Sequence, residues 1–76
     1  FVFSARHEID YLNEVYDLKL PESESYETLG GFIISHLEYI PAKGESLRFL
    51  DLEITILKVS SSRIDTVEIK LLNKDE

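Results

Sequence analysis

Residues 26–45 read YETLGGFIISHLEYIPAKGE, and the fold turns on how this stretch is understood. Leu29, Phe32, Ile33, His36, Leu37 and Ile40 recur at helical spacing as one apolar stripe, and Pro41 follows as a stop. The spacing predicts a helix from about Thr28 to Tyr39, capped by the Thr28 hydroxyl, with a turn at Lys43-Gly44-Glu45. Gly30 and Gly31 stand near the head of that helix, where glycine costs up to about 1 kcal/mol relative to alanine. A dinucleotide fingerprint needs Gly-x-Gly-x-x-Gly directly after a strand, and a P-loop needs glycine followed by Lys-Ser/Thr. Neither spacing is present, and a loop comes first. The remaining reason for the pair is the missing β-carbon, which lets another backbone or ring sit against this turn.

Upstream, Phe1-Val2-Phe3 reads as a short strand broken by Ser4-Ala5-Arg6-His7. Ile9, Leu12, Val15 and Tyr16 then recur at helical spacing, with Glu8, Asp10, Asn13 and Glu14 facing elsewhere. Asp17-Leu18-Lys19-Leu20-Pro21 is expected to end this helix, since Pro21 disfavours helix at Leu20, and residues 22–25 form an acidic loop. Downstream, strands are expected over 46–50, 52–60 and 63–72. Leu52, Ile54 and Ile56 alternate with polar residues, whereas Leu57 and Val59 fall in the opposite phase, which predicts a bulge near Ile56-Leu57 or burial on both faces. Ser60-Ser61-Ser62 is the hairpin, and residues 73–76 are a charged, fraying tail. The order β-α-α-β-β-β, with strands grouped rather than interleaved, predicts an α+β domain with two helices on one face of an antiparallel sheet.

At 76 residues the chain is read as one domain, 1–76. Its stability falls in the range of about 4–11 kcal/mol. It has no cysteine, which excludes disulfides, a thiol nucleophile and thiolate zinc sites. Fifteen Asp/Glu against eight Lys/Arg give a net charge of −7, which repels nucleic acid and anionic lipid and suits a cation or a basic partner. The longest apolar run, Phe32-Ile33-Ile34, is far short of the ~20 residues of a membrane helix. The chain begins at Phe1 inside a strand, so it reads as an excised piece of a longer protein whose membrane part lies elsewhere.

The candidate sites are few, and none is assigned as catalytic, cofactor-binding or metal-ligating. His36 lies on the apolar stripe and reads as a core or boundary residue, and His7 precedes the first helix. No helical or strand spacing pairs the two histidines for zinc. Glu22, Glu24 and Glu27 suit the positive end of the second helix; the functional alternative is a loose magnesium or calcium site, for which this loop lacks a turn-forming glycine. Ser60–Ser62 carry no nucleophile-elbow context. Tyr11, Tyr16, Tyr26 and Tyr39 read as amphipathic boundary residues, and Phe1 and Phe3 as an exposed edge open to pairing with a second copy or a neighbouring domain.

The ordered set Phe3-Ser4-Ala5-Arg6, Ile9-Asp10-Tyr11-Leu12-Asn13, Leu20-Pro21-Glu22, Tyr26–Gly31, Ile40-Pro41, Gly44-Glu45 and Arg63-Ile64 with Val67 resembles the CorC/HlyC-type transporter-associated domain over nearly the whole chain. Ala5 stands where that family commonly has glycine, Tyr39 where glycine or arginine often precedes Ile-Pro, and Ser60-Ser61-Ser62 where the hairpin is more charged. The resemblance implies a C-terminal accessory module following a membrane domain and a pair of CBS domains, on the cytoplasmic side of the bacterial inner membrane. Its parents would be hemolysin-like or magnesium/cobalt efflux proteins, and its role would be to modulate ion transport without catalysis. The implied partners are the parent's CBS and membrane domains, or a second copy as a homodimer, and not nucleic acid. The family's fold is grouped with a half of PCMH-type flavin-binding domains, which attaches flavin adenine dinucleotide to it; this chain has no phosphate-binding turn and is short for a flavin pocket. The alternative role is a sensor for flavin adenine dinucleotide, an adenine nucleotide or a divalent cation.

Overall fold

Two apolar periodicities, one helical and one alternating, meet on a single side of an antiparallel sheet. The computed structural model describes residues 1–72. Its elements are β1 (Val2–Ser4), α1 (Ile9–Tyr16), α2 (Leu29–Leu37), β2 (Ser46–Phe49), β3 (Leu52–Ser60) and β4 (Arg63–Leu71). The four strands lie in the order β1-β4-β3-β2, antiparallel at each pairing. This is the expected α+β architecture. The charged tail at 73–76 lies outside the described residues.

Register explains which residues reach the core. Phe3 stands opposite Val67, Val67 opposite Ile56, and Ile69 opposite Ile54, so one face of the sheet is a continuous apolar surface. Those side chains are buried together with Ile9 and Leu12 of α1 and Leu29, Phe32 and Ile33 of α2. The other face carries Glu53, Thr55, Thr66, Glu68 and Lys70, none of them fully buried. The phase change in β3 is a bulge. Pairing shifts between Ile56 and Lys58 and again before Val59, so Leu57 drops out of register.

α1 ends within the expected Asp17–Pro21 segment, at Asp17, whose left-handed backbone (φ 56°) sends its N–H to the Asn13 carbonyl. Val15 and Tyr16 are therefore exposed, and Leu18 and Leu20 take their place in the core. Asn13, expected off the apolar face, holds this return: its side-chain amide donates to the Leu20 carbonyl and accepts from the Leu20 N–H, both at 2.8 Å. α2 ends at Leu37 rather than Tyr39, because Glu38 is left-handed (φ 68°), and Ile40 consequently lies on the surface. β2 stops at Phe49, since Leu50 also has positive φ. Leu72 leaves the β4 ladder and donates its N–H to Asp51 at 2.8 Å.

Candidate functional site

The N-terminus of α2 carries the Gly30-Gly31 pair. Here its backbone donors are consumed within the protein. The Leu29 N–H donates to His7 O at 2.9 Å, Gly30 N–H to Ala5 O at 2.9 Å, and Phe32 N–H to Thr28 O at 2.9 Å. The Thr28 hydroxyl accepts from Gly31 N–H at 3.1 Å, completing the expected cap. Ile9 N–H adds a bond to Glu27 O at 2.8 Å, and Glu8 and Thr28 form an antiparallel bridge. The chain entering α1 thus lies directly across the chain entering α2. An anion at this terminus would find no free first-turn N–H to bind.

Close packing explains the glycine pair. A β-carbon on Gly30 would lie 3.2 Å from Ala5 Cβ and 3.3 Å from Ala5 O. On Gly31 it would lie 3.0 Å from Tyr26 Cβ and 3.3 Å from Thr28 Oγ1. At Gly30 the close approach is to Ala5 of the crossing β1–α1 connection, and at Gly31 it is to the Tyr26 and Thr28 side chains of α2's own lead-in.

Two hollows flank the crossing. One, of about 260 Å³, is lined by Glu8, Asp10, Glu22 and Glu27 with Tyr26, whose hydroxyl donates to Pro21 O at 2.7 Å. Glu22 and Glu27 thus share a concavity, while Glu24 does not line it. Among the described residues no three His, Cys, Asp or Glu side chains gather as a metal cluster. The other, of about 210 Å³, is lined by Gly30, Gly31 and Thr28 together with Arg6 and Arg63. Neither arginine stood out as a site residue in the sequence, because their meeting depends on the pairing of β1 with β4.

The remaining candidates separate into two aromatic groups. Tyr11 stacks on His7 at 5.4 Å, His7 meets Phe3 edge-on at 6.1 Å, Phe3 meets Tyr16 at 5.0 Å, and Tyr16 meets Phe1 at 5.2 Å. This strip runs along β1 and α1, and its members Phe1, Tyr11 and Tyr16 are exposed. His36 belongs to a second group, with Phe32 at 5.9 Å and Phe49 at 5.5 Å, and it is an exposed boundary residue rather than a core one. The two histidines therefore serve different clusters. Ser61 and Ser62 form the exposed hairpin turn. Tyr39 donates its hydroxyl to Glu45, whose other carboxylate oxygen accepts from Ala42 N–H at 3.1 Å. The Tyr39 hydrogen bond, with Ala42 N–H second, holds the Glu45 carboxyl below the ordinary carboxylate range and in turn pushes the Tyr39 phenol up.

The pattern of the CorC_HlyC transporter associated domain matches residues 1–73. The chain belongs to this family. The polyamine export protein of Salmonella typhimurium is 32% identical over 66 residues, which cover 86% of this chain and 15% of that protein. The crystal structure of the putative Mg2+ and Co2+ transporter (CorC) associated region from Neisseria meningitidis superposes with a TM-score of 0.85 at 25% identity, covering 93% of this chain and 86% of that one. The transporter associated domain of a Xylella fastidiosa hemolysin, in complex with Mg++ and Mn++, gives a TM-score of 0.81 at 30% identity, covering 96% of this chain and 87% of that one. This CorC_HlyC domain is thus similar to small parts of much longer transporter-type proteins. Among its described residues no helix is long and apolar enough to cross a membrane.

Proposed function

We propose that this CorC_HlyC domain is a non-catalytic accessory module of a bacterial cation exporter of the hemolysin-like, magnesium/cobalt efflux type. It modulates transport by docking on the parent's CBS pair or on a second copy at the cytoplasmic side. The observation that carries this reading is the aromatic strip on β1 and α1. Phe1 is 56% and Val2 62% exposed on a strand that pairs on one side only, next to exposed Tyr16 and Tyr11. An open edge bordered by aromatic side chains is the surface through which small domains pair with other chains. The relatives add support: one is named for polyamine export and another for Mg2+ and Co2+. Both cargoes are cations, and they differ in size and shape, so cargo choice belongs to the rest of those proteins and a shared accessory role to this domain. Docking influences transport only if the interface differs between two transporter states. The test is cation flux through the full transporter carrying Val2→Lys and Tyr16→Ser. Altered gating with retained folding is expected, and unchanged flux would overturn the reading.

A second reading, a divalent-cation sensor, draws on the acidic hollow lined by Glu8, Asp10, Glu22 and Glu27. Their carboxylates do not converge as a preformed cluster and would have to close on the ion. The related Xylella domain in complex with Mg++ and Mn++ lends it support. Thermal unfolding with and without magnesium separates the two, because a ligand that binds only the folded state raises the melting temperature.

A further inference from the structure

Arg6 and Arg63 reach one hollow from opposite ends of the chain. β1 pairs with β4 so that Ser4 stands opposite Thr66, and Ala5 N–H continues the ladder to Asp65 O at 2.8 Å. The next residues in each direction, Arg6 and Ile64-Arg63, are thereby brought to the same rim beside Gly30. Neither guanidinium forms a hydrogen bond or ion pair with any described residue, in a chain with fifteen carboxylate side chains. Arg6 shares a second, open depression with Glu8 and still does not pair with it. The rest of the lining is apolar from Ala5, Ile34 and Ile64, with Thr28 as the one uncharged polar side chain.

We propose that this hollow is a recognition site for one glutamate side chain carried by a protein partner. The inference rests on the docking reading and names the chemistry of one partner contact. Three features select this occupant. Guanidinium groups present planar forks that match a carboxylate with paired hydrogen bonds. The volume of about 210 Å³ suits a single side chain, whereas small-molecule and cofactor pockets run upward from about 300 Å³. A phosphate group would need several further donors, and among the described residues there are none here beyond the Thr28 hydroxyl, because the backbone N–H groups of Leu29, Gly30 and Gly31 are already used. The methylenes of glutamate would lie on Ala5, Ile34 and Ile64 while its carboxylate reaches Arg6 and Arg63.

The experiment is an NMR titration of the 76-residue chain, following the arginine Nε–H signals. The probes are a capped Ala-Ala-Glu-Ala-Ala peptide, its glutamine counterpart and inorganic phosphate. The glutamate peptide is expected to shift Arg6 and Arg63, together with the Gly30 and Ile64 amides, saturably and less strongly at high salt. The glutamine peptide should bind at least about tenfold more weakly, as should the glutamate peptide to Arg6→Gln or Arg63→Gln. Equal response to the two peptides, no response, or saturation by phosphate at lower concentration than by the glutamate peptide would overturn the site. The peptide comparison uses the unaltered protein, so it does not depend on how a variant folds. Any of those results would leave docking through β1 and α1 to its own flux measurement.

Discussion

At its N-terminus α2 is tied by backbone bonds to Ala5 and His7, under a β1–α1 connection close enough to require glycine. At its C-terminus the helix stops on Glu38 in a left-handed conformation, and the turn beyond is held from the surface by Tyr39 and Ala42 on the Glu45 carboxylate. The first end is fixed by sterics and by buried bonds, which neither pH nor salt reaches. The second is fixed by an exposed, charged side chain, and it responds to both. A helix of nine residues is too short to be stable alone, so tertiary packing at its N-terminal end must supply most of its order.

Substitutions can break this contrast. The largest effect is expected at Gly30→Ala, which should cost about 1–3 kcal/mol in urea unfolding because the new methyl group overpacks against Ala5. Ala5→Gly in the same chain should recover part of that loss by removing the Ala5 Cβ contact, while the contact with Ala5 O remains. A double-mutant cycle would give a coupling energy of opposite sign to the Gly30→Ala loss. Thr28→Ala should cost about 1 kcal/mol, the usual value of a lost cap. At the other end, Glu38→Gly should stabilise by about 0.5–1 kcal/mol, since glycine relieves the left-handed backbone. Glu45→Gln should lower the unfolding midpoint only slightly, the smallest effect of the series, and alter amide shifts only at residues 39–45.

The pH dependence sharpens the same comparison. Glu45 titrates below its ordinary range when folded, so its contribution is complete above the unfolded carboxylate value and is lost as pH falls through the lowered one. Tyr39 is pushed up, so its contribution holds below the unfolded phenol value and is lost as pH rises through the raised one. Amide shifts at 39–45 should therefore move at both extremes of pH. The bonds around Gly30 involve no titrating side chain, and their amides should follow neither transition.

The same division marks what the sequence made legible. The Thr28 cap, the close approach at Gly30-Gly31 and the bulge at Leu57 were readable because each follows from local geometry and residue type. The end of α2 was not. The apolar stripe continues through Ile40, and nothing local required Glu38 to adopt positive φ. In α1, Val15 and Tyr16 kept helical spacing yet stay exposed, because Asn13 folds the chain back and gives the core to Leu18 and Leu20. The Arg6–Arg63 hollow was hidden for a different reason: it depends on β1 pairing with β4, a contact between distant parts of the chain.

The central claim is that the head of α2 is a packing junction within a docking module. The most direct test is an amide NMR titration of the chain with magnesium, cobalt, adenosine triphosphate and flavin adenine dinucleotide in turn. The account predicts no saturable shifts clustered at residues 22–31 with any of them. Saturable shifts in that cluster with any one ligand would contradict it and make the domain a sensor.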